Sequence, residues 1–298
     1  MSKFRSGYVS LIGRPNVGKS TLLNTILGEK VAIVTPKPQT TRNRLVGVKT
    51  LTDAQIVFID TPGIHKPQHR LGELMVREAR ESAREVDLIL FMTEPGEPGG
   101  GDKFIIDILD GLKKDAFLLI NKADTVKKPE LLPVIDAYSR LYPFREIIPV
   151  SALKGDGIGI LLKSIVDRLP EGPKYYPDEI VTDQIERFMA SEIIREKVMQ
   201  QTEEEIPYSV AVEVTRWEER AQGEGKGAVF ISANIYVERD GQRGIIIGKG
   251  GSKLKAIGTG ARIGIEGLLG TRVFLELWVK VKKGWRSNEK FLRELGFH

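Results

Sequence analysis

The sequence has no cysteine and only three histidines in 298 residues. The absence of cysteine excludes disulfide bonds, thiolate nucleophiles and thiolate-ligated metal sites, and it fits a reducing compartment. His65 and His69 are four residues apart, but Pro67 between them disfavours a helix and no His-Glu-x-x-His pattern occurs. We therefore expect neither a thiol enzyme nor a zinc hydrolase, and no Ser-His-Asp or paired-carboxylate arrangement stands out.

Long apolar runs are also missing. No stretch approaches the roughly 20 apolar residues that span a bilayer, and the first residues lack the apolar region and cleavage site of a secretory signal. We therefore expect a cytoplasmic protein. The length and the hydrophobic content of 41% are sufficient for two globular domains.

Charge is unevenly distributed along the chain. Residues 241–298 contain 12 lysines and arginines against 4 aspartates and glutamates, whereas residues 171–240 contain 8 against 16. The basic segment suggests an anionic partner, either nucleic acid or a membrane surface. A solvated surface with uneven charge would give the same counts, so charge alone does not identify the partner.

The most informative motif is a glycine-containing loop between an apolar run and a helical stretch. It reads G-x-x-x-x-G-K-S-T and consists of Gly13, Arg14, Pro15, Asn16, Val17, Gly18, Lys19, Ser20 and Thr21. Such a loop points backbone N–H groups at phosphate oxygens, and the next helix adds its positive N-terminal end. Lys19 can reach the β- and γ-phosphates, and the Ser20 hydroxyl can hold magnesium. The alternative is a βα turn that binds nothing.

From residue 6 to about residue 170, short β-rich runs alternate with helical stretches. This alternation predicts an α/β domain, in which βαβ crossovers form a mostly parallel sheet covered by helices. Ligands bind beyond the carboxyl ends of the strands in such sheets. The predicted strands are 8–12, 45–51, 55–59, 88–92, 116–120 and 147–150, and the predicted helices are 71–84, 103–112, 131–141 and 158–169.

Three further motifs follow predicted strands. Asp60-Thr61-Pro62-Gly63 gives Asp60 to bind magnesium through water and the Gly63 N–H to sense a γ-phosphate. In Asn121-Lys122-Ala123-Asp124, the Asp124 carboxylate can accept two N–H groups of guanine, which adenine does not offer. Lys122 can lie along the base, and Asn121 can brace neighbouring loops. After the last strand, Ser151, Ala152 and Leu153 place a backbone N–H opposite the guanine O6.

In chain order, G-x-x-x-x-G-K-S, a threonine, D-x-x-G, N-K-x-D and S-A form the motif series of the Ras-like GTPases, which this sequence resembles. Gly-Arg-Pro-Asn-Val-Gly-Lys-Ser-Thr together with Gln39-Thr40-Thr41-Arg42 is similar to the bacterial ribosome-associated branch, in particular the Era family. The resemblance implies binding of GTP, GDP and Mg²⁺, with switch I at 34–44 and switch II at 63–71. It also implies that Thr41, rather than Thr40, supplies a second hydroxyl to magnesium.

Two positions modify the chemistry that the resemblance implies. Ile64 stands where Ras-like enzymes carry the glutamine that orients the attacking water, so we expect slow hydrolysis that depends on the loop, Lys19 and magnesium. Asn16 occupies the position that helps bind a monovalent cation in related potassium-stimulated GTPases. Potassium ordered by Asn16 and switch I is therefore a hypothesis for the missing positive charge. The alternative is that Asn16 only tolerates an unusual backbone angle.

A Pro- and Gly-rich stretch after residue 169 indicates a domain boundary. We predict a GTPase domain at 1–170, a linker at 171–181, a second domain at 182–285 and a tail helix at 286–298. The second domain should contain a helix over 183–201 with Ile185, Phe188, Met189 and Ile193 facing the core, and strands at 208–217, 229–237 and 271–281. A glycine-rich loop at 222–227 should separate the first two of these strands.

The second domain carries a Gly248-Lys249-Gly250-Gly251 turn between two predicted helices. Glycines there let an RNA backbone come close, although a tight turn alone gives the same pattern. The element order resembles an α+β type II KH domain, which implies about four unpaired nucleotides in an aliphatic groove. Ile246, Ile247 and Leu254 are the groove candidates, each of which could equally be core, while Lys249, Lys253, Lys282 and Lys283 are candidates to meet phosphates.

The whole-chain resemblance implies a slow GTP-hydrolysing switch in assembly of the small ribosomal subunit, which binds single-stranded 16S ribosomal RNA near its 3′ end. It implies a monomer in the cytoplasm, with peripheral association at the inner face of the membrane as an open addition. The alternatives are a membrane-surface GTPase switch, a GTPase acting on another RNA, a stand-alone GTPase enzyme of the tRNA-modifying type, and an RNA scaffold whose nucleotide is structural. The residues alone indicate a guanine-nucleotide switch joined to an RNA-binding module.

Overall fold

A buried apolar strand forms the centre of the first sheet. In the computed structural model, which describes residues 4–222 and 225–297, strand β1 (Arg5–Gly13) pairs in parallel with a strand on each side. The elements that follow are α1 (Lys19–Leu27), β2 (Leu45–Thr50), β3 (Ala54–Asp60), α2 (Arg70–Arg84), β4 (Leu88–Thr93), α3 (Gly100–Leu112), β5 (Ala116–Ile120), α4 (Leu131–Ser139), β6 (Glu146–Pro149) and α5 (Ile158–Arg168).

The strand order of this sheet is β2-β3-β1-β4-β5-β6. Strand β2 is antiparallel to β3, whereas the other described pairs are parallel. Every residue of β3, β4 and β5 is buried, which requires cover on both faces of the sheet. The carboxyl ends of β1, β3, β4 and β5 therefore meet at one edge, where the motifs lie.

A second sheet belongs to a separate part of the chain. Its elements are α6 (Glu186–Gln201), α7 (Ile206–Ser209), β7 (Ala211–Gln222), β8 (Gly225–Val237), α8 (Asp240–Ile247), α9 (Ser252–Leu269), β9 (Arg272–Val281) and α10 (Glu289–Glu294). The order is β7-β8-β9, with β7 antiparallel and β9 parallel to β8. Along β9, exposed residues alternate with more buried ones, so that one face of the strand packs on the core.

The described chain divides into two compact units. The first contains the residues up to Val34, Pro38–Gln68 and Gly72–Asp183, and the second contains Thr35–Lys37, His69–Leu71 and the residues from Gln184 onward. Pieces of both predicted switch segments are thus grouped with the second unit.

The segment predicted as a linker, 171–181, is hydrogen-bonded within the first unit. The Gln55 side-chain oxygen accepts the N–H groups of Tyr175 at 2.8 Å and Tyr176 at 2.9 Å. The Val48 N–H donates to the Val181 carbonyl at 2.8 Å. Because these backbone groups are paired with β2 and with a side chain of β3, this segment is part of the first unit's structure.

The tail of the second unit is anchored by aromatic side chains. Trp285 is fully buried, and its Nε1 donates to the Ser209 carbonyl at 2.9 Å. Phe291 packs edge-on against Trp285 and against Tyr236, with ring centroids 6.4 Å and 4.9 Å apart. Within the described residues, the helix predicted at 286–298 is shorter than expected: α10 covers Glu289–Glu294, and its Phe291 packs on Tyr236 of β8.

Three local predictions in the second unit were wrong. The helix begins at Glu186 rather than residue 183, and Ile185 is 68% exposed as its N-cap rather than a core residue. Residues 206–209 form helix α7, so the strand predicted from residue 208 starts at Ala211. That strand runs on to Gln222 and β8 starts at Gly225, which leaves Gly223 and Glu224 of the predicted glycine-rich loop outside the described residues.

Candidate functional site

The phosphate-binding loop connects β1 to α1, and two of its glycines are in tight contact with neighbours. A Cβ on Gly13 would lie 2.4 Å from the Met92 carbonyl oxygen, and one on Gly18 would lie 2.3 Å from Nδ2 of Asn121. Gly18 also has a φ of 99°, in the left-handed region that favours glycine. Both positions therefore require glycine for the loop to keep this shape.

Lys19 is the first residue of α1 and is only 6% exposed. Its Nζ donates to the carbonyl oxygens of Arg14 at 3.2 Å and Gly13 at 3.4 Å, across the loop to which it belongs. Burial lowers the pKa of Lys19, and the nearby Asp60 carboxylate acts in the opposite direction. The loop thus holds the Lys19 ammonium beside the space that a phosphate chain would occupy.

Two hydroxyls and one carboxylate converge beside the loop. The Ser20 hydroxyl donates to Oδ2 of Asp60 at 2.7 Å and lies 2.8 Å from the Thr41 hydroxyl. The Thr41 hydroxyl donates to the same Asp60 oxygen at 3.3 Å. The structure thus brings together the three predicted metal ligands, and it brings Thr41 rather than Thr40 to this point.

The donor set fits a magnesium ion. Oxygen ligands from hydroxyls and a carboxylate are those that Mg²⁺ prefers. Asp60 is fully buried, and its Oδ1 has no hydrogen-bond partner within the part of the chain that the structure describes. Burial raises the pKa of Asp60, while the Lys19 charge and the hydrogen bonds from Ser20 and Thr41 lower it. A divalent cation at this carboxylate would offset the cost of its burial.

Asn121 connects three loops at the carboxyl edge of the sheet. Its Nδ2 donates to the Val17 carbonyl at 2.7 Å, and its Oδ1 accepts the Ala152 N–H at 2.9 Å. The Ala152 carbonyl in turn accepts the Thr25 hydroxyl of α1 at 2.7 Å. The phosphate-binding loop and the predicted base-binding loop are therefore held in one hydrogen-bonded unit.

Asp124 lies at the predicted guanine-binding position. A hydrogen bond from the Ser151 hydroxyl is the main cause that lowers the pKa of Asp124, and Lys154, whose Nζ is 3.4 Å away, lowers it further. The carboxylate is therefore ionised and able to accept two N–H groups. Lys122 is paired with Glu94, and the Leu153 side chain is exposed.

Ile64 is 1% exposed and packs in the core of the first unit. Its backbone N–H donates to the Gly13 carbonyl at 3.0 Å. Gly63 before it lies against the loop, because a Cβ there would be 2.7 Å from the backbone nitrogen of Pro15. The side chain that replaces a water-orienting glutamine is thus directed into the core rather than toward the phosphate-binding loop.

Two switch residues contact each other in this structure. His65 lies with Nδ1 3.0 Å from the Gly63 carbonyl and Nε2 3.0 Å from Nε2 of Gln39. This hydrogen bond joins the segments predicted as switch I and switch II. His69 and the other described residues form no group of three or more His, Cys, Asp or Glu able to hold a metal.

Asn16 is exposed on the phosphate-binding loop with a φ of 66°. That left-handed backbone is what the alternative interpretation of Asn16 predicts. The exposed side chain also leaves the potassium hypothesis open to experiment.

Sequence reasoning missed one contact of the phosphate-binding loop. Arg14 donates from Nε to Oδ1 of Asp102 at 2.8 Å, although Asp102 belongs to no motif. Asp102 follows Gly99-Gly100-Gly101 in the first turn of α3. An acidic residue at a helix start is a common signal, but nothing local to it indicates a partner 88 residues away.

The G-x-x-G turn lies between α8 and α9, as predicted. Gly248, Gly250 and Gly251 have φ values of 71°, 59° and 79°, all of which favour glycine. Lys249 is exposed and Lys253 is half-buried beside the turn. Lys283 is exposed, whereas the Lys282 ammonium lies 4.5 Å from the Phe291 ring centroid and so contacts the tail.

The three groove candidates differ in burial. Ile246 is fully buried in the core of the second unit, which is the alternative that the sequence left open, whereas Ile247 is half-buried. A cavity of about 400 Å³ does run along α9 and β9 from the turn. Its lining contains the predicted Gly251 and Leu254 and six residues that sequence reasoning did not select: Lys255, Gly258, Thr259, Arg262, Leu275 and Leu277.

Within the described residues, no helix is both long enough and apolar enough to cross a membrane.

Comparisons with known proteins cover both units. A family model described as a 50S ribosome-binding GTPase matches residues 8–122, and a KH-domain model matches residues 205–286. The chain is 56% identical to a GTPase Era from Geobacter metallireducens over 295 residues, which are 99% of this chain and 98% of that protein. It is 52% identical to a GTPase Era from Ruminiclostridium cellulolyticum, with the same coverage.

Two solved structures match over the same extent. A crystal structure of Era in complex with MgGDPNP and nucleotides 1506–1542 of 16S ribosomal RNA has a TM-score of 0.94 and 42% identity, and the match covers 99% of both chains. A variant of Aquifex aeolicus Era bound to GDP·AlF4⁻ has a TM-score of 0.93, with the same identity and coverage. The predicted fold class, a P-loop GTPase domain followed by a KH domain, is confirmed.

Proposed function

This chain belongs to the Era family of GTPases, and from that premise we propose that it is a guanine-nucleotide switch of ribosome assembly. It binds GTP or GDP with Mg²⁺, hydrolyses GTP slowly, and binds single-stranded 16S ribosomal RNA near its 3′ end. Its role is to assist assembly of the small ribosomal subunit.

The observation that carries the proposal is the match over 99% of the chain to an Era structure that contains both MgGDPNP and 16S ribosomal RNA. This chain carries a candidate site for each of those ligands. The Ser20, Thr41 and Asp60 oxygens are of the kind that Mg²⁺ prefers, and an open cavity beside Gly251 is where the RNA strand would run. A relative that carried only one of these ligands would support only half of the proposal.

The chain's own residues account for binding and slow turnover. The Ser20, Thr41 and Asp60 oxygens would hold magnesium, which would neutralise negative charge on the β- and γ-phosphates. Lys19, held over the loop, adds a second positive charge, and Asp124 reads guanine. Ile64 is packed in the core and offers no group that could orient the attacking water, so the intrinsic rate is low.

The second unit supplies the RNA contact. A Cβ on Gly250 or Gly251 would have no neighbouring atom within 4 Å, so a sugar-phosphate backbone can approach the turn. Lys249 and Lys253 meet phosphates, and the groove between α9 and β9 receives bases against Leu254, Leu275 and Leu277.

The test is RNA crosslinking of the full chain with a GTP analogue, with GDP and without nucleotide, followed by mapping of the crosslinked bases. We expect crosslinks from the G-x-x-G turn to the 3′ region of 16S ribosomal RNA. Crosslinks to tRNA instead would assign a different RNA substrate. A chain that binds RNA but shows no GTP turnover even with ribosomal subunits present would be a scaffold rather than a switch.

We also propose that potassium stimulates hydrolysis through Asn16. The support is its place in the loop and its exposed side chain. Turnover should be faster in potassium than in sodium, and Asn16→Ala should remove the difference. Equal turnover in both salts, with Asn16→Ala harmless, would leave Asn16 as a residue selected for its left-handed backbone.

The proposed location is the cytoplasm, and the proposed state is a monomer. The basic balance of residues 241–298 supports peripheral binding to anionic lipid as a second proposal. Anionic liposomes should then bind the chain at low salt and compete with RNA. Failure to bind such liposomes would contradict the membrane-binding proposal and leave the RNA-binding proposal unchanged.

A further inference from the structure

The Arg14 side chain extends away from the phosphate-binding loop and lies across the start of α3. Its Nε donates to Oδ1 of Asp102 at 2.8 Å. Its stem passes over Gly101, where a Cβ would be 2.8 Å from Cδ of Arg14. Arg14 is therefore held at two points, by an ion pair at its head and by close packing along its stem.

Asp102 is fixed independently of Arg14. It is fully buried, and its Oδ2 accepts the Gly99 N–H at 3.0 Å in the first turn of α3, where the helix dipole favours a negative charge. Thr93, the last residue of β4, donates to Oδ1 at 3.4 Å. A carboxylate so placed stays in position and is costly to leave without a cation, so Arg14 must come to it.

On the side of Asp102 away from Arg14, the hydrogen-bond network continues through uncharged hydroxyls. The Thr93 hydroxyl lies 2.8 Å from the Tyr138 hydroxyl of α4. Burial is the main cause that raises the pKa of Tyr138 to about 12, so this hydroxyl stays neutral at physiological pH. The network therefore presents its carboxylate charge to the guanidinium of the loop.

We propose that Asp102 is a positioning residue for the phosphate-binding loop, acting through Arg14 on the backbone carbonyl to which Lys19 donates. The Arg14 carbonyl oxygen is 3.2 Å from the Lys19 Nζ, so a shift of Arg14 moves a hydrogen-bond partner of the cation that faces the phosphates. This role rests on the guanine-nucleotide binding proposed above and lies outside the motifs that define it.

The experiment compares GTP turnover and binding of a fluorescent GDP by the full chain and by Asp102→Asn. The loop contacts the phosphates in both the bound state and the transition state. Its displacement should therefore lower kcat/KM by about 10- to 100-fold, mostly through KM, with a matching rise in the GDP Kd. A residue that only stabilises the fold would lower the active fraction and leave KM and Kd unchanged.

Arg14→Gln tests the same link from the other side. Arg14 is 38% exposed in its side chain, and Asp102 keeps its hydrogen bonds from Gly99 and Thr93 in this variant, so the variant should be less stable but still fold even if Asp102→Asn does not. It should raise KM by a similar factor, and the double variant should be no worse than either single one. The matched control is Asp136→Asn, which removes an exposed pair with Arg140 at 2.7 Å on α4 and should change neither constant.

Unchanged KM and Kd in both single variants, or additive effects in the double variant, would overturn the proposal. A failure of the proposed function is seen separately, because the unaltered chain would then bind no guanine nucleotide.

Discussion

The molecule has two glycine-rich turns at the start of a helix, and they differ in what surrounds them. In the loop before α1, Cβ atoms on Gly13 and Gly18 would collide with the Met92 carbonyl and with Asn121. In the turn before α9, Cβ atoms on Gly250 and Gly251 would have no neighbour within 4 Å. Both turns use left-handed backbone, and a Cβ on Gly248 would lie 2.8 Å from the Lys253 Cβ, but Gly250 and Gly251 face open space, unlike Gly13 and Gly18.

The difference follows the ligand that each turn serves. A nucleotide is small, so its site can be built from buried groups already in place, such as Lys19, Asp60 and Asn121. An RNA strand is long and must enter from solvent, so its turn keeps open space and exposed cations. We therefore expect substitutions at Gly13 and Gly18 to affect folding and nucleotide binding together, and those at Gly250 and Gly251 to affect RNA binding alone.

The largest effect should come from Lys19→Ala. Removal of the buried cation at the phosphates should lower kcat/KM for GTP by about 10³-fold or more. RNA binding by the nucleotide-free chain should be unchanged. Turnover assays and RNA fluorescence anisotropy check this, with Lys163→Ala on the exposed side of α5 as the control. Normal GTP turnover in Lys19→Ala would place the phosphate site elsewhere.

The double substitution Gly250→Asp and Gly251→Asp should have the opposite effect, because it should weaken RNA binding and leave nucleotide binding unchanged. Two carboxylates at the turn repel phosphates, so RNA affinity should fall by about 10²-fold while GDP affinity stays constant. Asp is among the residues that tolerate left-handed backbone, so the fold should survive. Gly267→Asp adds a carboxylate elsewhere on α9 and is the control. Unchanged RNA affinity in the double variant would contradict the RNA-binding role proposed for this turn.

Ile64→Gln should destabilise the first unit without accelerating hydrolysis. The amide would enter an apolar core, where it has no arranged partner, and the free energy of unfolding should fall by about 2–3 kcal/mol. Denaturant unfolding and GTP turnover measure the two parts. Ile160→Gln, at a position 65% exposed on α5, should have little effect on either. A faster variant would show that this side chain can leave the core to reach water.

The smallest effect should be a pH shift in Ser151→Ala. The Ser151 hydroxyl is the main group that lowers the pKa of Asp124, so its loss raises that pKa toward the ordinary value. The acid-side loss of GDP affinity should then begin at a higher pH than in the unaltered chain, with little change at neutral pH. Ser139→Ala, at an exposed hydroxyl of α4, should leave the profile unchanged. Identical profiles for Ser151→Ala and the unaltered chain would remove this role.

Ser20 and Asp60 could be selected from sequence because their motifs follow β1 and β3, two parallel strands whose carboxyl ends meet at one edge of the sheet. Thr41 lies between α1 and β2 and was selected through the family resemblance, and the structure brings it within hydrogen-bond distance of both. Asn121 is a similar case, since its predicted bracing role corresponds to bonds with two other loops.

The features that could not be predicted from the sequence depend on tertiary contacts, which local sequence patterns do not encode. Apolar residues 245–247 look alike in sequence, yet only packing decides that Ile246 is core and Ile245 is exposed. The groove of the second unit is lined by a helix and a strand with different periodicities, so Arg262 and Leu275 carry no shared local signal. Asp102 looks like an ordinary helix start until the fold brings Arg14 to it.

The most direct test of the two-site account is the affinity of the full chain for RNA from the 3′ end of 16S ribosomal RNA, measured with a non-hydrolysable GTP analogue and with GDP. A switch requires the two affinities to differ, by about fivefold or more for typical coupling, and requires RNA to change the nucleotide affinities by the same factor. Equal RNA affinities in both nucleotide states would contradict the account.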